Sequence, residues 1–267
     1  MIDYLSRYDL EWNPFIKGNK ESLIVTSEYN EVQTRLEYLR QIKGFGLLTG
    51  NPGLGKTTAV RNWAKNLSKT ENKVIYISLS TVTVLEFYQM LAGELGYEPA
   101  FRKYNNFKII QEGINRYVIE KRMTPVIILD EANYLKSATL NDLKILFNFE
   151  YDSINKAVIL LTGLPQLNNT LHLASHEPLA QRIVMNYEMN TLTKEDVKRY
   201  IEEKLKSAGC HVKIYQENAL EAIANASNGI PRMIDKIVNQ SLIVGNIMNE
   251  SLISADTIMK VMEEIQL

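Results

Sequence analysis

Four short runs of consecutive apolar, β-prone residues punctuate the first two thirds of the chain, at 45–49, 74–78, 126–130 and 157–162. None alternates apolar with polar, which is the pattern of a strand buried on both faces. The stretches between them are long enough for helices, so the pattern predicts parallel strands joined by helical crossovers. A fifth strand is predicted over 183–189. Ahead of the first strand, Val32, Leu36 and Leu39 fall on one stripe of a helix predicted over 28–41. Earlier still, Trp12-Asn13-Pro14-Phe15 is predicted extended, because a residue preceding proline avoids the α region.

Beyond Met189 the pattern becomes wholly helical. Thr193 with Lys194-Glu195-Asp196 reads as a cap and an acidic first turn; Val197, Tyr200, Ile201 and Leu205 share one face, and Gly209 ends the run. Three more helices are predicted over 217–226, 231–246 and 255–265, separated by breakers such as Asn228-Gly229 and opened in the last case by a Ser254 cap. The expected organisation is a lead-in and helix at 1–43 packed on the core, an α/β domain at 44–190 and a helical domain at 191–267.

With 267 residues, 45% hydrophobic and 23% charged, the chain can bury a core without disulfides. Its single cysteine, Cys210, excludes an internal disulfide and fits a reducing compartment, so a cytoplasmic protein is expected. The N-terminus lacks a basic segment followed by an apolar run, and the apolar stretches fall far short of the roughly 18 residues a membrane span needs. The net charge of −1 means that any nucleic-acid binding must come from a local patch. One candidate is 101–122, where Arg102, Lys103, Lys108, Arg116, Lys121 and Arg122 outweigh Glu112 and Glu120, with Tyr104 and Phe107 interleaved. His172 and His176 are spaced for one helical face, but no HExxH pattern and no third ligand accompany them, and they read as a solvated surface pair.

The most specific chemistry is Gly50-Asn51-Pro52-Gly53-Leu54-Gly55-Lys56-Thr57, followed by Thr58, a full GxxxxGK[ST] match between a predicted strand and a predicted helix. Glycines let backbone N–H groups turn inward around a phosphate, and the helix N-terminus adds a favourable dipole. Lys56 is expected to reach the β- and γ-phosphates of a nucleotide, and the Thr57 hydroxyl to ligate Mg²⁺. The run 126–129 ends in Asp130-Glu131 at the C-terminal edge of the sheet, where open α/β sheets bind ligands. Asp130 is expected to hold Mg²⁺ through water, and Glu131, beside the metal but not on it, to polarise an attacking water. Thr162, at the end of the fourth run, is a candidate for orienting that water. Arg182 and Arg232 are candidates for placing positive charge on the γ-phosphate.

In this order and spacing the motifs resemble the AAA+ ATPases, and within them the ExeA-like, TnsC- and MuB-like branch that includes transposition helper ATPases. The likeness rests on Asn13-Pro14-Phe15, 44–50, the P-loop, Asp130-Glu131-Ala132 with Leu135, 161–167, 179–182 and Gly229-Ile230-Pro231-Arg232. It implies a five-stranded parallel sheet in the order 5-1-4-3-2 with a helical lid and ATP between them. It further implies Thr162 and Arg232 as sensors, and Arg182 as an arginine finger acting on a neighbouring subunit. The wider family carries Asn where this chain has Thr162. Some secretion members continue into a membrane span; this chain ends at Leu267 just past its helical domain, so the compact transposition type is expected. That type assembles as rings or filaments on double-stranded DNA and recruits a DDE-type transposase. Arg102, Lys103, Lys108 and Lys121 would then neutralise DNA phosphates. The alternative is a nucleotide-dependent scaffold that acts on protein partners without DNA.

Overall fold

The computed structural model describes residues 4–18, 23–78, 81–150 and 153–265. Five strands form one parallel sheet: β1 (Gly44–Thr49), β2 (Asn72–Ile77), β3 (Thr124–Leu129), β4 (Val158–Gly163) and β5 (Ile183–Glu188). Their order, β2-β3-β4-β1-β5, is the expected 5-1-4-3-2. Every residue of β1 and β4 is buried, which is why these runs carry no polar alternation. β2 and β5 lie at the edges and expose part of their length.

The helices, in chain order, are α1 (Tyr4–Arg7), α2 (Ser27–Ile42), α3 (Lys56–Asn66), α4 (Val84–Glu94), α5 (Lys103–Ile119), α6 (Ser137–Leu146), α7 (Pro165–Leu171), α8 (Glu177–Ala180), α9 (Lys194–Ser207), α10 (Glu217–Ser227), α11 (Pro231–Ile247) and α12 (Ala255–Ile265). Among the described helices, four start on side-chain caps that satisfy orphan N–H groups; Thr26 accepts the Tyr29 N–H on α2, and Ser254 accepts the Thr257 N–H on α12 as expected. Thr83 and Glu86 form a reciprocal capping box on α4, and the Thr193 hydroxyl accepts from Asp196 on α9.

The contacts divide the chain into two units. One runs from Glu31 to Pro52 and from Lys56 to Met189; the other comprises the described residues up to Asn30, the P-loop tip 53–55, and Asn190 onward. In the α/β unit, Phe45, Leu47, Ile127, Ile159 and Leu161 of the sheet pack with Phe87, Leu91, Ile110 and Leu143 of the crossover helices. Leu39 of α2 lies so close to Gly46 that a Cβ there would stand 2.3 Å from its Cδ2. In the helical unit, Val197, Ile201, Ile223, Ile234, Ile237, Leu242 and Val261 make a separate core.

The lead-in divides where it was expected to stay whole. α2 carries its apolar stripe into the α/β unit, but Tyr8, Leu10 and Phe15 are buried in the core of the helical unit. The Trp12–Phe15 stretch is a turn, not an extended segment. Asn13 Oδ1 accepts the N–H of Phe15 at 2.9 Å, a local bond that an asparagine offers in competition with extended backbone. The helical unit also carries an isolated parallel bridge, Tyr215 with Ile253.

Candidate nucleotide site

The loop after β1 owes its shape to glycine. Gly53 and Gly55 have φ of 87° and 96°, a region that side chains disfavour, and a Cβ on Gly55 would meet open space within 4 Å. Conformation, not crowding, demands glycine there, and the space beside its backbone is what a phosphate cradle requires. Lys56, at the first position of α3, donates through Nζ to the carbonyls of Gly50 at 2.7 Å and Asn51 at 3.0 Å. Its ammonium therefore closes over the loop's own oxygens. Thr57 and Thr58 are exposed on the first turn of α3.

Asp130 follows the last residue of β3 and is 6% exposed. Described residues donate to both of its oxygens. Thr57 Oγ1 at 3.0 Å and the Tyr76 hydroxyl meet Oδ2; the Thr162 hydroxyl and the Glu131 N–H at 3.0 Å meet Oδ1. The strand register explains the convergence. Leu129 pairs with Leu161, so the next positions, Asp130 and Thr162, are neighbours across the sheet. Tyr76 pairs with Ile128 on the other flank, and its long ring spans the diagonal to the carboxylate. Burial, then the bond to Asp130, pushes the Tyr76 phenol above its ordinary pKa, which keeps it a neutral donor.

Glu131 has φ 53° and ψ 36°, left-handed for a non-glycine residue, and opens a short 3₁₀ turn over Ala132–Tyr134. Glu131 is exposed, next in sequence to the buried Asp130. Asn133 fastens the turn to the end of β4 by accepting the Leu164 N–H at 3.0 Å. A Cβ on Gly163 would come within 2.7 Å of the same oxygen. The hydroxyl of Thr57 with the carboxylate of Asp130 is a set of hard oxygen donors beside a glycine-shaped loop. That set fits a magnesium ion carried on a phosphate chain.

The other candidates have different partners. Arg182 stands one residue before β5, with its guanidinium at 5.3 Å over the Phe45 ring; it donates to the carbonyls of Lys144 at 2.8 Å and Phe147 at 3.2 Å. It is anchored on its own subunit at the end of α6. Arg232 is exposed on the first turn of α11, in the helical unit, and its N–H donates to Gly53 O at 3.2 Å.

The basic stretch is more occupied than its charge suggests. Lys103 is ion-paired with Asp142, and Arg116 with Glu120. The Lys108 and Lys121 ammonium groups sit 4.8 Å and 4.2 Å over the rings of Tyr104 and Tyr117. Arg102 precedes α5 and is exposed, and beside it Phe101 is 95% exposed. The histidine reading is corrected. α7 stops at Leu171, so His172 and His176 share no helix; His176 is 1% exposed and lies between Ser137 Oγ at 2.9 Å and Asn141 Oδ1 at 2.8 Å.

Sequence reasoning missed Tyr76 and Asn133. The carboxylates and the P-loop are written in consecutive residues, whereas Tyr76 reads as an ordinary edge-strand aromatic until the register is known.

A parallel sheet in this order, with a P-loop after β1 and an Asp-Glu pair after β3, defines the P-loop ATPases of the AAA+ class. Residues 39–171 match the AAA domain family. Over 245 residues, 90% of this chain, it is 31% identical to General secretion pathway protein A of Aeromonas hydrophila, covering 44% of that protein. It is 27% identical over 186 residues to the ATP-dependent target DNA activator B of Escherichia phage Mu, covering 66% of this chain and 54% of that one. The chain thus belongs to the ExeA-like and MuB-like branch of the AAA+ family and spans about half the length of these relatives. Among solved structures it is similar to Cdc6p from Pyrobaculum aerophilum, with a TM-score of 0.69 and 17% identity, covering 93% of this chain and 70% of that one. Among the described residues, no helix is long and apolar enough to cross a membrane.

Proposed function

We propose that this chain binds ATP with Mg²⁺ and hydrolyses it to ADP and phosphate, that it assembles as an oligomer on double-stranded DNA, and that its nucleotide state regulates a DDE-type transposase. The observation that carries the ATPase reading is the convergence of Thr57, Tyr76, Thr162 and the Glu131 N–H on one buried carboxylate, Asp130. ATP with its metal supplies the phosphoryl group that passes to water. Lys56 binds the phosphates and is drawn from the loop carbonyls it now caps. Thr57 and Asp130 hold the metal's side of the site. Glu131 takes the proton of the attacking water, a role that suits an exposed carboxylate next to a buried one. Thr162 keeps Asp130 oriented, and Arg182 and Arg232 add positive charge during transfer.

The DNA reading is supported by the likeness to a target DNA activator and by the exposed Phe101, Arg102, Tyr104 and Lys108 at the start of α5. Lys103, bound to Asp142, is a weaker phosphate contact than its charge suggested. A cytoplasmic location accompanies this reading. The higher identity to General secretion pathway protein A favours a second reading, a nucleotide-dependent scaffold for protein partners.

ATP hydrolysis measured with and without duplex DNA separates them, with Glu131→Gln as the blank and particle size followed in parallel. Stimulated turnover with ATP-dependent assembly on DNA is the expected result. Turnover indifferent to DNA, with no binding at low salt, would overturn the DNA reading in favour of the scaffold. Glu131→Gln turning over at the wild-type rate would remove Glu131 from the base role.

A further inference from the structure

α11 bears a polar stripe that the core does not use. Arg232, Asp235, Asn239 and Asn246 are spaced i, i+3, i+7 and i+14, along one face of the helix; the buried Ile234 and Ile237 lie on the far side, and Val238 and Leu242 flank the stripe. The N-terminal lead-in runs along this stripe from its far end towards Arg232. Arg7 Nε donates to Asn246 Oδ1 at 2.6 Å, and Asn13 Nδ2 to Asn239 Oδ1 at 2.8 Å. One turn closer to Arg232, Lys204 of α9 donates to Asp235 Oδ1 at 2.7 Å, and Tyr200 to the same oxygen at 3.0 Å. The Lys204 ammonium lies 5.2 Å over the ring of Phe15, which is 6% exposed. Burial lowers the lysine's pKa and raises the aspartate's, and their mutual contact opposes both shifts. At the head of the stripe, Arg232 touches the P-loop tip, which belongs to the same unit. Its N–H bonds Gly53 O, and a Cβ on Gly53 would fall 2.9 Å from the Arg232 Cβ.

We propose that Asn13-Pro14-Phe15 is a positioning strap: by clamping α11 through Asn239 and the Lys204–Asp235 pair, it sets where Arg232 stands against the P-loop tip. Every link lies within the helical unit: Asn13 bonds α11 directly at Asn239, Phe15 lies under Lys204, the partner of Asp235, and Arg7 ties the same lead-in to Asn246. The asparagine supplies both the turn, through Phe15 N–H, and the clamp, through its amide, which explains why that residue type precedes the proline. The inference rests on the ATPase reading for its effect on turnover, and on the helical unit alone for its effect on α11.

The test is a cycle of Asn13→Ala, Arg232→Ala and their double, with Asn239→Ala removing the same bond from the helix side. Loss of one hydrogen bond of this kind should slow turnover about fivefold in Asn13→Ala and in Asn239→Ala, with nucleotide affinity kept within about twofold. In the Arg232→Ala background, Asn13→Ala should cost nothing further. Effects that multiply would overturn the strap, because a general structural role adds independently of Arg232. Hydrogen exchange over 229–236 reads the same coupling without turnover. It should quicken in Asn13→Ala even if the wild-type protein hydrolyses nothing, and unchanged exchange there in a folded variant would refute the proposal while leaving the ATPase reading intact.

Discussion

Thr162→Val isolates one donor to Asp130 with little change of shape. Thr162 is fully buried, and its hydroxyl donates to an ionisable group that is itself 6% exposed. Valine keeps the branching and the packing within β4 but turns a methyl group towards Oδ1. A hydrogen bond to a charged partner is worth about 1.5–3 kcal/mol, and here water has little room to replace it. The α/β unit should therefore lose about 2 kcal/mol, a fall of about 1 M in urea midpoint for slopes of about 1–3 kcal/mol per M. The second consequence is functional. Asp130 keeps its bonds from Thr57, Tyr76 and the Glu131 N–H, but its carboxylate is freer to rotate, so the Mg²⁺ needed for half-maximal hydrolysis should rise several-fold. Thr162→Ser, which retains the hydroxyl, is the control. Urea unfolding followed by circular dichroism gives the first number, and hydrolysis titrated with Mg²⁺ at saturating ATP the second. If Val and Ser variants prove equal in both assays, the hydroxyl is not what holds Asp130.

Three further outcomes follow from other contacts. Arg182→Ala should lower stability by about 1–3 kcal/mol, because it removes two charge-assisted bonds to the end of α6. It should also abolish turnover, and mixing with Lys56→Ala should recover part of the activity; no recovery would confine Arg182 to its own subunit. Gly229→Ala should cost upwards of about 3 kcal/mol, read from thermal unfolding. Gly229 has φ 68°, and a Cβ would lie 2.2 Å from the Leu192 carbonyl oxygen, a backbone atom that cannot step aside. In alkali the helical unit should unfold progressively. Tyr8 is 1% exposed and its pKa is pushed from 10.0 to about 12, chiefly by burial, while burial also raises Tyr200 and Tyr215. A group whose folded pKa is raised contributes stability that is full below pH 10 and lost as pH climbs through about 12. Tyr8→Phe should flatten that loss, as followed by far-UV circular dichroism; an unchanged slope would show that Tyr8 does not couple to unfolding.

The strands and the P-loop were legible because their causes are local. A strand buried on both faces must be apolar over consecutive residues, and a phosphate loop needs glycine, lysine and threonine in a fixed short order. The same locality misled elsewhere. His172 and His176 have helical spacing, but whether a helix continues past Leu171 depends on what His176 meets, and it meets Ser137 and Asn141, 39 and 35 residues away. Lys103 reads as a free cation until Asp142 of another helix is brought to it.

Consecutive residues alone dictated the element types, the sheet with its crossovers, and the pairing of a phosphate loop with two carboxylates, because those depend on periodicity and on chemistry within a few positions. Tertiary structure decided which side chains serve them. Tyr76 reaches Asp130 across 54 residues only through the register of β2 on β3, and the lead-in's choice of the helical unit follows from where Tyr8, Leu10 and Phe15 find a core to enter. Such partnerships are set by the burial of surface from distant segments, and no window along the chain contains both sides of the contact.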